Sequence, residues 1–337
     1  MISHDFILHD CLARGIRRRP LAGLLAAALA VPFAAPVTAA ALNPPQATTI
    51  DAQTSAQNLN QAWQIANDAS VDVHNVRGSV VVSAGDAGQA TLSGELGAGS
   101  KLVVAGDAQR LDLRVESPDQ DHGWFSKRGP QADSNLVLKV PAGVSLRLEL
   151  VSADGRVSGI DGKSLNVECV SGKVTLESGA PQVEVECVSG DVTYRATRAD
   201  GNSRSHLQTV SGDIAASGVG GRVKLETVSG RAHADGKEVQ EFEAGSVSGN
   251  VELAAALGAH GRIRAETMSG DIRLLLPPDA SAHFEAETFS GSIHTDYGTV
   301  KTPQYGPGSS LDVDTGSGDA QVSTETFSGS IEIRKQP

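Results

Sequence analysis

Cysteine and aromatic residues are scarce in this chain of 337 residues, with three Cys and 4% Phe, Trp and Tyr together. Cys11 falls in the N-terminal segment, and the two that remain make no metal site by themselves. Basic residues are in deficit, 28 against 40 acidic, which excludes a nucleic-acid binder and a protein of anionic membrane surfaces. Long apolar runs are missing except for LAGLLAAALAVPFAA, which is too short to span a bilayer. It follows Arg14, Arg17, Arg18 and Arg19 and ends in small residues, Val37 to Ala41. That is the pattern of an export signal over residues 1–40. No Cys follows the run, so no lipid anchor is expected. Export to the periplasm is the expectation, with the cell surface or secretion as alternatives. Without residues 1–40 the chain loses four arginines and two aspartates, leaving 24 basic and 38 acidic residues, a net charge of −14.

What the chain has in abundance is one phrase, an apolar residue followed by Ser-Gly and a strand-like run. Its serines are Ser152, Ser171, Ser189, Ser211, Ser229, Ser248, Ser269, Ser290 and Ser328. Their spacings are 19, 18, 22, 18, 19, 21, 21 and 38. A period near 20 with strand-forming residues and a Gly at each turn predicts an all-β parallel β-solenoid (β-helix) of about nine regular rungs, preceded by less regular β-strands. Counting from each Ser as zero, positions −4 and −2 are apolar or small, as in Val167 and Cys169 or Leu207 and Thr209, and +3 and +5 are apolar again. Strand alternation turns these inward. Inward parity therefore changes from even to odd across the Ser, and the Gly at +1 is the residue that can absorb the change. The −1 column, Val151, Val170, Val188, Val210, Val228, Val247, Met268, Phe289 and Phe327, has two readings. Strict parity leaves it outside as an apolar stripe; a corner that begins earlier folds it into the core.

Residues 41–70 read as a polar linker or cap, with a stretch from Leu59 to Ala66 that could be helical. Residues 71–150 read as N-terminal strands or first coils, and 151–337 as the regular solenoid with an insertion at 297–315. Cys169 and Cys187 hold the −2 place in consecutive copies, where others carry Thr. Either a small-residue ladder or a disulfide fits them. Glutamates recur at −3, with Arg147, His206, Lys224 and Arg264 at −5 within reach of them. Solvated, partly compensated charge is expected there rather than a cation site. The serines lack any recurring His or Asp and any GxSxG setting, so they are structural. No catalytic residue, metal or cofactor is expected. The aromatic loop with His122, Trp124, Phe125, Lys127 and Arg128, and the insertion with Tyr297, Lys301 and Tyr305, are the candidate binding segments.

The succession VDVHNVRGSVVV, LDLRVESP, NLVLKVPAGVSLRLELVSADGRVSGIDG and repeated T-V-S-G-D-I resembles the bacterial exported "putative adhesin" family of single-stranded β-solenoids, a domain of unknown function. The likeness runs over about residues 70–335. It implies a β-helical fold and an exported, non-enzymatic role in adhesion or envelope binding, with no family catalytic or ligand residues to carry over. The expected partner is a protein or glycan of the cell envelope. The alternatives are a polysaccharide-active β-helix enzyme and an envelope structural or sensing component that oligomerises end to end.

Overall fold

The computed structural model describes residues 48–336 apart from 53–54, 117–131, 199, 303 and 305–306. Within these the fold is all-β. Each copy of the repeat makes one strand up to its Ser and a second after its Gly, as in Leu165–Ser171 with Val174–Ser178, or Gln182–Ser189 with Val192–Ala196. Strands of equivalent position pair in parallel and without slippage around the Ser. Along one ladder Cys169, Cys187, Thr209, Thr227, Ser246 and Thr267 are consecutive partners. Along the second, Val157, Leu176, Tyr194, Ala216, Ala234 and Leu253 follow one another.

The core lies between the two ladders. Inward positions on the first are buried, as Val167, Val185, Leu207 and Leu225 show, and so are those on the second, such as Val174, Val192, Ile214 and Val251. Burying one such side chain contributes about 1.5–3 kcal/mol. The few aromatics inside have small neighbours: Tyr194 pairs with Ala216, and Phe242 shares its copy with Ala234 and Ala244. A large side chain beside small ones is what a close-packed interior can accommodate.

The corner obeys two constraints at once. Gly172, Gly190, Gly212 and Gly230 have φ of 140°, 151°, 148° and 146°, values that side-chain-bearing residues rarely adopt. The corners also stack so closely that a Cβ on Gly190, Gly212 or Gly230 would strike the carbonyl oxygen of the Gly before it. At position −2 Thr209 Oγ1 donates to the Gly190 carbonyl (3.4 Å), and Thr267, Thr326 and Thr288 donate to Gly249, Gly270 and Gly329 (3.3, 3.2 and 3.0 Å). The Asp that recurs at +2 has a structural use as well. Asp191 and Asp213 accept from the +2 backbone N–H of the next copy, at 3.1 and 2.8 Å.

At both ends, order in space departs from order in sequence. The last copy, Ala320–Ser328, lies between Val251–Ser269 and Ala282–Ser290, parallel to both. Thus Phe327 is flanked by Met268 and Phe289. Ser309–Asp314, from the expected insertion, adds an antiparallel strand to Ala282–Ser290. The N-terminal end is built the same way. Ser70–Ala84 is parallel to Ser145–Ile160 on one side and to Arg110–Glu116 and Ser134–Val140 on the other. Antiparallel strands then cover these, Lys101–Gly106 on the first and Gln89–Leu96 on the second. The helix considered for Leu59 to Ala66 is not formed. Gln57–Gln64 is a strand antiparallel to Gln89–Leu96, and its pairing with an otherwise open edge outweighs a weak local helix preference.

Gly212→Ala is expected to destabilise the protein by at least about 2 kcal/mol, from strain and the close carbonyl together. Gly245 is extended and has nothing within 4 Å of a built Cβ. Gly245→Ala should change stability by no more than about 0.5 kcal/mol. Thermal unfolding of the two variants beside the parent checks the contrast.

Candidate interaction face

Because the parity change is confined to Gly, the residue before Ser stays on the strand and faces out. The −1 column is therefore the exposed stripe, not core. Val170, Val188, Met268, Phe289 and Phe327 are 50, 45, 48, 53 and 51% exposed, values far above any core position. Val210, Val228 and Val247 are half-buried members of the same column. At its C-terminal end Phe289 and Phe327 stack face to face, 4.9 Å between centroids and 8° between planes. Apolar residues contiguous over this many strands are unusual on a solvent face.

Beside the stripe runs the glutamate column at −3, in register throughout: Glu149, Glu168 and Glu186 are direct partners, as are Glu266, Glu325 and Glu287. The expected cations at −5 do reach their neighbours. Arg147 pairs with Glu149 and Glu168, Lys224 and His206 with Glu226, and Arg264 with Glu266. Burial works against the charge of Glu226, but hydrogen bonds from His206 and Lys224 outweigh it and hold its pKa below the ordinary value. Glu168 shifts the other way: burial raises it, Arg147 lowers it, and the like charges of Glu149, Glu186 and Glu184 keep it raised. Glu186, Glu285, Glu287 and Glu325 have no ion-pair partner among the described residues.

The structure separates the other candidates. Cys169 and Cys187 are direct partners on adjacent strands and both are free, buried thiols. They fill the place of the Thr ladder, with Cys169 Sγ 3.8 Å from the Gly172 carbonyl. A shared thiol hydrogen bond raises the pKa of Cys169 and lowers that of Cys187. Tyr297 does not present itself to a partner. It is buried, stacks on Phe284 at 4.7 Å, and its hydroxyl donates to the carbonyls of Leu276 (3.0 Å) and Pro277 (2.7 Å). Burial pushes its pKa up to about 12. Its contact with Phe284 and with the carbonyls of Leu276 and Pro277 is made in space, about 13 to 21 residues away along the chain, and has no signal in the sequence. Lys301 is exposed and is held by backbone bonds to Ser310 of 2.8 and 2.9 Å. His122, Trp124, Phe125, Lys127, Arg128 and Tyr305 lie outside the described residues. Among the described residues no three His, Cys, Asp or Glu side chains converge as metal ligands, and no helix is long and apolar enough to cross a membrane.

Two expectations follow. Tyr297→Phe removes the hydroxyl's bonding to the Leu276 and Pro277 carbonyls, which keep the backbone N–H donors of Gln336 and Ala280, and should cost about 0.5–1.5 kcal/mol in urea unfolding. Since the folded pKa of Glu226 is depressed, its contribution to stability is present above the unfolded value near 4.3 and is lost as pH falls through the folded one. Glu226→Gln should therefore lower the urea midpoint at pH 6 and converge with the parent as the medium is acidified below pH ~4.

A comparison with curated proteins finds no match. Among solved structures, one described as a "putative cell adhesion protein" from Clostridium sporogenes ATCC 15579 is 10% identical, covering 83% of this chain and 100% of its own, with a TM-score of 0.20. Another, described as a "Putative lipid binding protein" from Parabacteroides distasonis ATCC 8503, is also 10% identical, covering 86% of this chain and 99% of its own, with a TM-score of 0.31. The profile of the Toastrack DUF4097 family matches residues 67–334, nearly all of the described strands. On that match the chain belongs to the Toastrack DUF4097 family.

Proposed function

We propose that this protein is an exported β-solenoid that acts without catalysis, binding a component of the cell envelope as an adhesin-like or scaffold element of the periplasm. The observation that carries this reading is the apolar stripe. Val170, Val188, Met268, Phe289 and Phe327 stay about half exposed on a face whose strands are paired with their neighbours on both sides of the stripe residue. Solvent contact of that kind is unfavourable, at roughly 25 cal/mol per Å², and a bound partner would relieve it. The parallel pairing and the stacked Gly corners support one continuous solenoid with regular rungs from the copy at Ser171 onward. The Arg-rich, Ala-rich start of the chain supports export.

The stripe supplies the test. A photo-activatable residue at position 188 or 268 should crosslink to a defined envelope component in cells, and Phe289→Ser with Phe327→Ser should abolish the adduct. The adduct should form in the periplasmic fraction, on a chain shortened by about 40 residues. Adducts unaffected by the Phe substitutions would refute binding through the stripe. New reducing ends released from uronic-acid polysaccharides by the purified protein would refute the non-catalytic part.

A further inference from the structure

We propose that the stripe receives a cationic amphipathic α-helix of a partner protein, laid across the strands with its apolar side on the −1 column and its Lys or Arg flank over the −3 glutamates. This rests on the binding reading above and names the occupant. Two independent features of the face select it: a spacing and a charge.

The spacing favours a helix. Successive stripe residues belong to neighbouring strands and are spaced about 4.8 Å apart. A partner running along the stripe must offer one apolar side chain per step. Side chains on one face of a helix recur on average every 3.6 residues, about 5.4 Å, so a helix departs from the column by only about 0.6 Å per step and keeps register over several strands. An extended strand offers same-face side chains about 6.7 Å apart and loses the match within two steps. The partner is also forced to lie on the side chains, because the strand edges are already paired within the stack.

The charge favours a cationic flank. Glu186 near Val188, and Glu287, Glu325 and Glu285 near the Phe pair, have no ion-pair partner among the described residues. Asp312, directly opposite Glu285 on the capping strand, extends the acidic surface further. A second copy of this face would oppose like charges, and an anionic lipid surface would be repelled. The Phe289–Phe327 stack, rimmed by these carboxylates, has the composition of an anchoring hot spot, aromatic at the centre and charged at the rim.

The probe is a fluorescent synthetic helix of about six turns, with Leu at the three- and four-residue steps and Lys along one flank. Titrated with the full chain, it should bind with micromolar affinity that falls with salt. Phe289→Ser with Phe327→Ser should weaken it by about tenfold or more, and Glu287→Gln with Glu325→Gln should weaken it while flattening the salt dependence. All four positions are exposed, and unchanged circular dichroism and melting confirm that the variants fold. Equal binding of a sequence-permuted peptide, or of the same helix with Glu on its flank, would overturn the proposal. So would a Phe-dependent dimer of the chain by sedimentation, or Phe-dependent capture by phosphatidylglycerol vesicles. If the peptide fails while the Phe substitutions still abolish the envelope crosslink, the helix is refuted and the binding reading stands.

Discussion

The stack depends on the close approach of one glycine corner to the next. Its N–H donates to the Ser carbonyl of the following copy, as Gly190 does to Ser211 at 2.9 Å, while its own carbonyl accepts the hydroxyl of that copy's Thr, as with Thr209. Backbone and side chain thus satisfy each other at a point where no Cβ fits. Burying these polar groups unpaired would cost several times what each bond contributes net. The corner therefore sets the register of every copy, and the period of the sequence is the spacing between such corners. Where the hydroxyl's bond is missing the geometry persists: Cys169 and Cys187 keep the volume, and Ser246 stands there without a partner for its Oγ.

Confining the parity change to that one residue has a consequence for the surface. Positions −5, −3 and −1 all face solvent on one ladder, so any residue type repeated there becomes a column. Charge at −5 and −3 partly neutralises itself through Arg147, Lys224, His206 and Arg264. Nothing neutralises the apolar −1 column. Its size increases toward the C-terminal end, from Val through Met268 to the two Phe, where the glutamates are also least compensated. The same end therefore holds the largest apolar surface and the most available negative charge.

Much of this was legible in the sequence, because a repeat that pairs with itself writes its register as a period. The inward columns, the glycine corner and the Arg–Glu contacts followed from alternation alone. The fate of the −1 column did not, since it turns on whether a corner begins one residue earlier, and Val is compatible with either side. From sequence alone Tyr297 reads as a binding residue, because a Tyr in an insertion looks accessible; only the fold brings it against Phe284 and the carbonyls of Leu276 and Pro277. The order of the final copies was hidden for a deeper reason. Every copy carries nearly the same strand, so pairing 266 with 325 is as satisfactory locally as pairing 266 with 287, and sequence proximity misleads.

That hidden order bears on which part of the molecule is available. A parallel ladder of identical strands has two open edges, each an invitation to add another copy end to end. Here the last copy in sequence is drawn in by one place, and Ser309–Asp314 covers the copy left outermost, antiparallel to it. The N-terminal end repeats the device with Ser70–Ala84 drawn in and antiparallel strands outside. An end-to-end assembly would have to add to a short antiparallel cap that lacks the Gly-Thr corner and thus the contact that sets register. On the open ladder, by contrast, the side chains at −3 and −1 of the described residues stay exposed or half-buried from copy to copy. The capping of the ends and the exposure of the stripe are therefore two sides of one arrangement: the backbone edges are taken up by antiparallel strands, and what repeats on the open face is side chains.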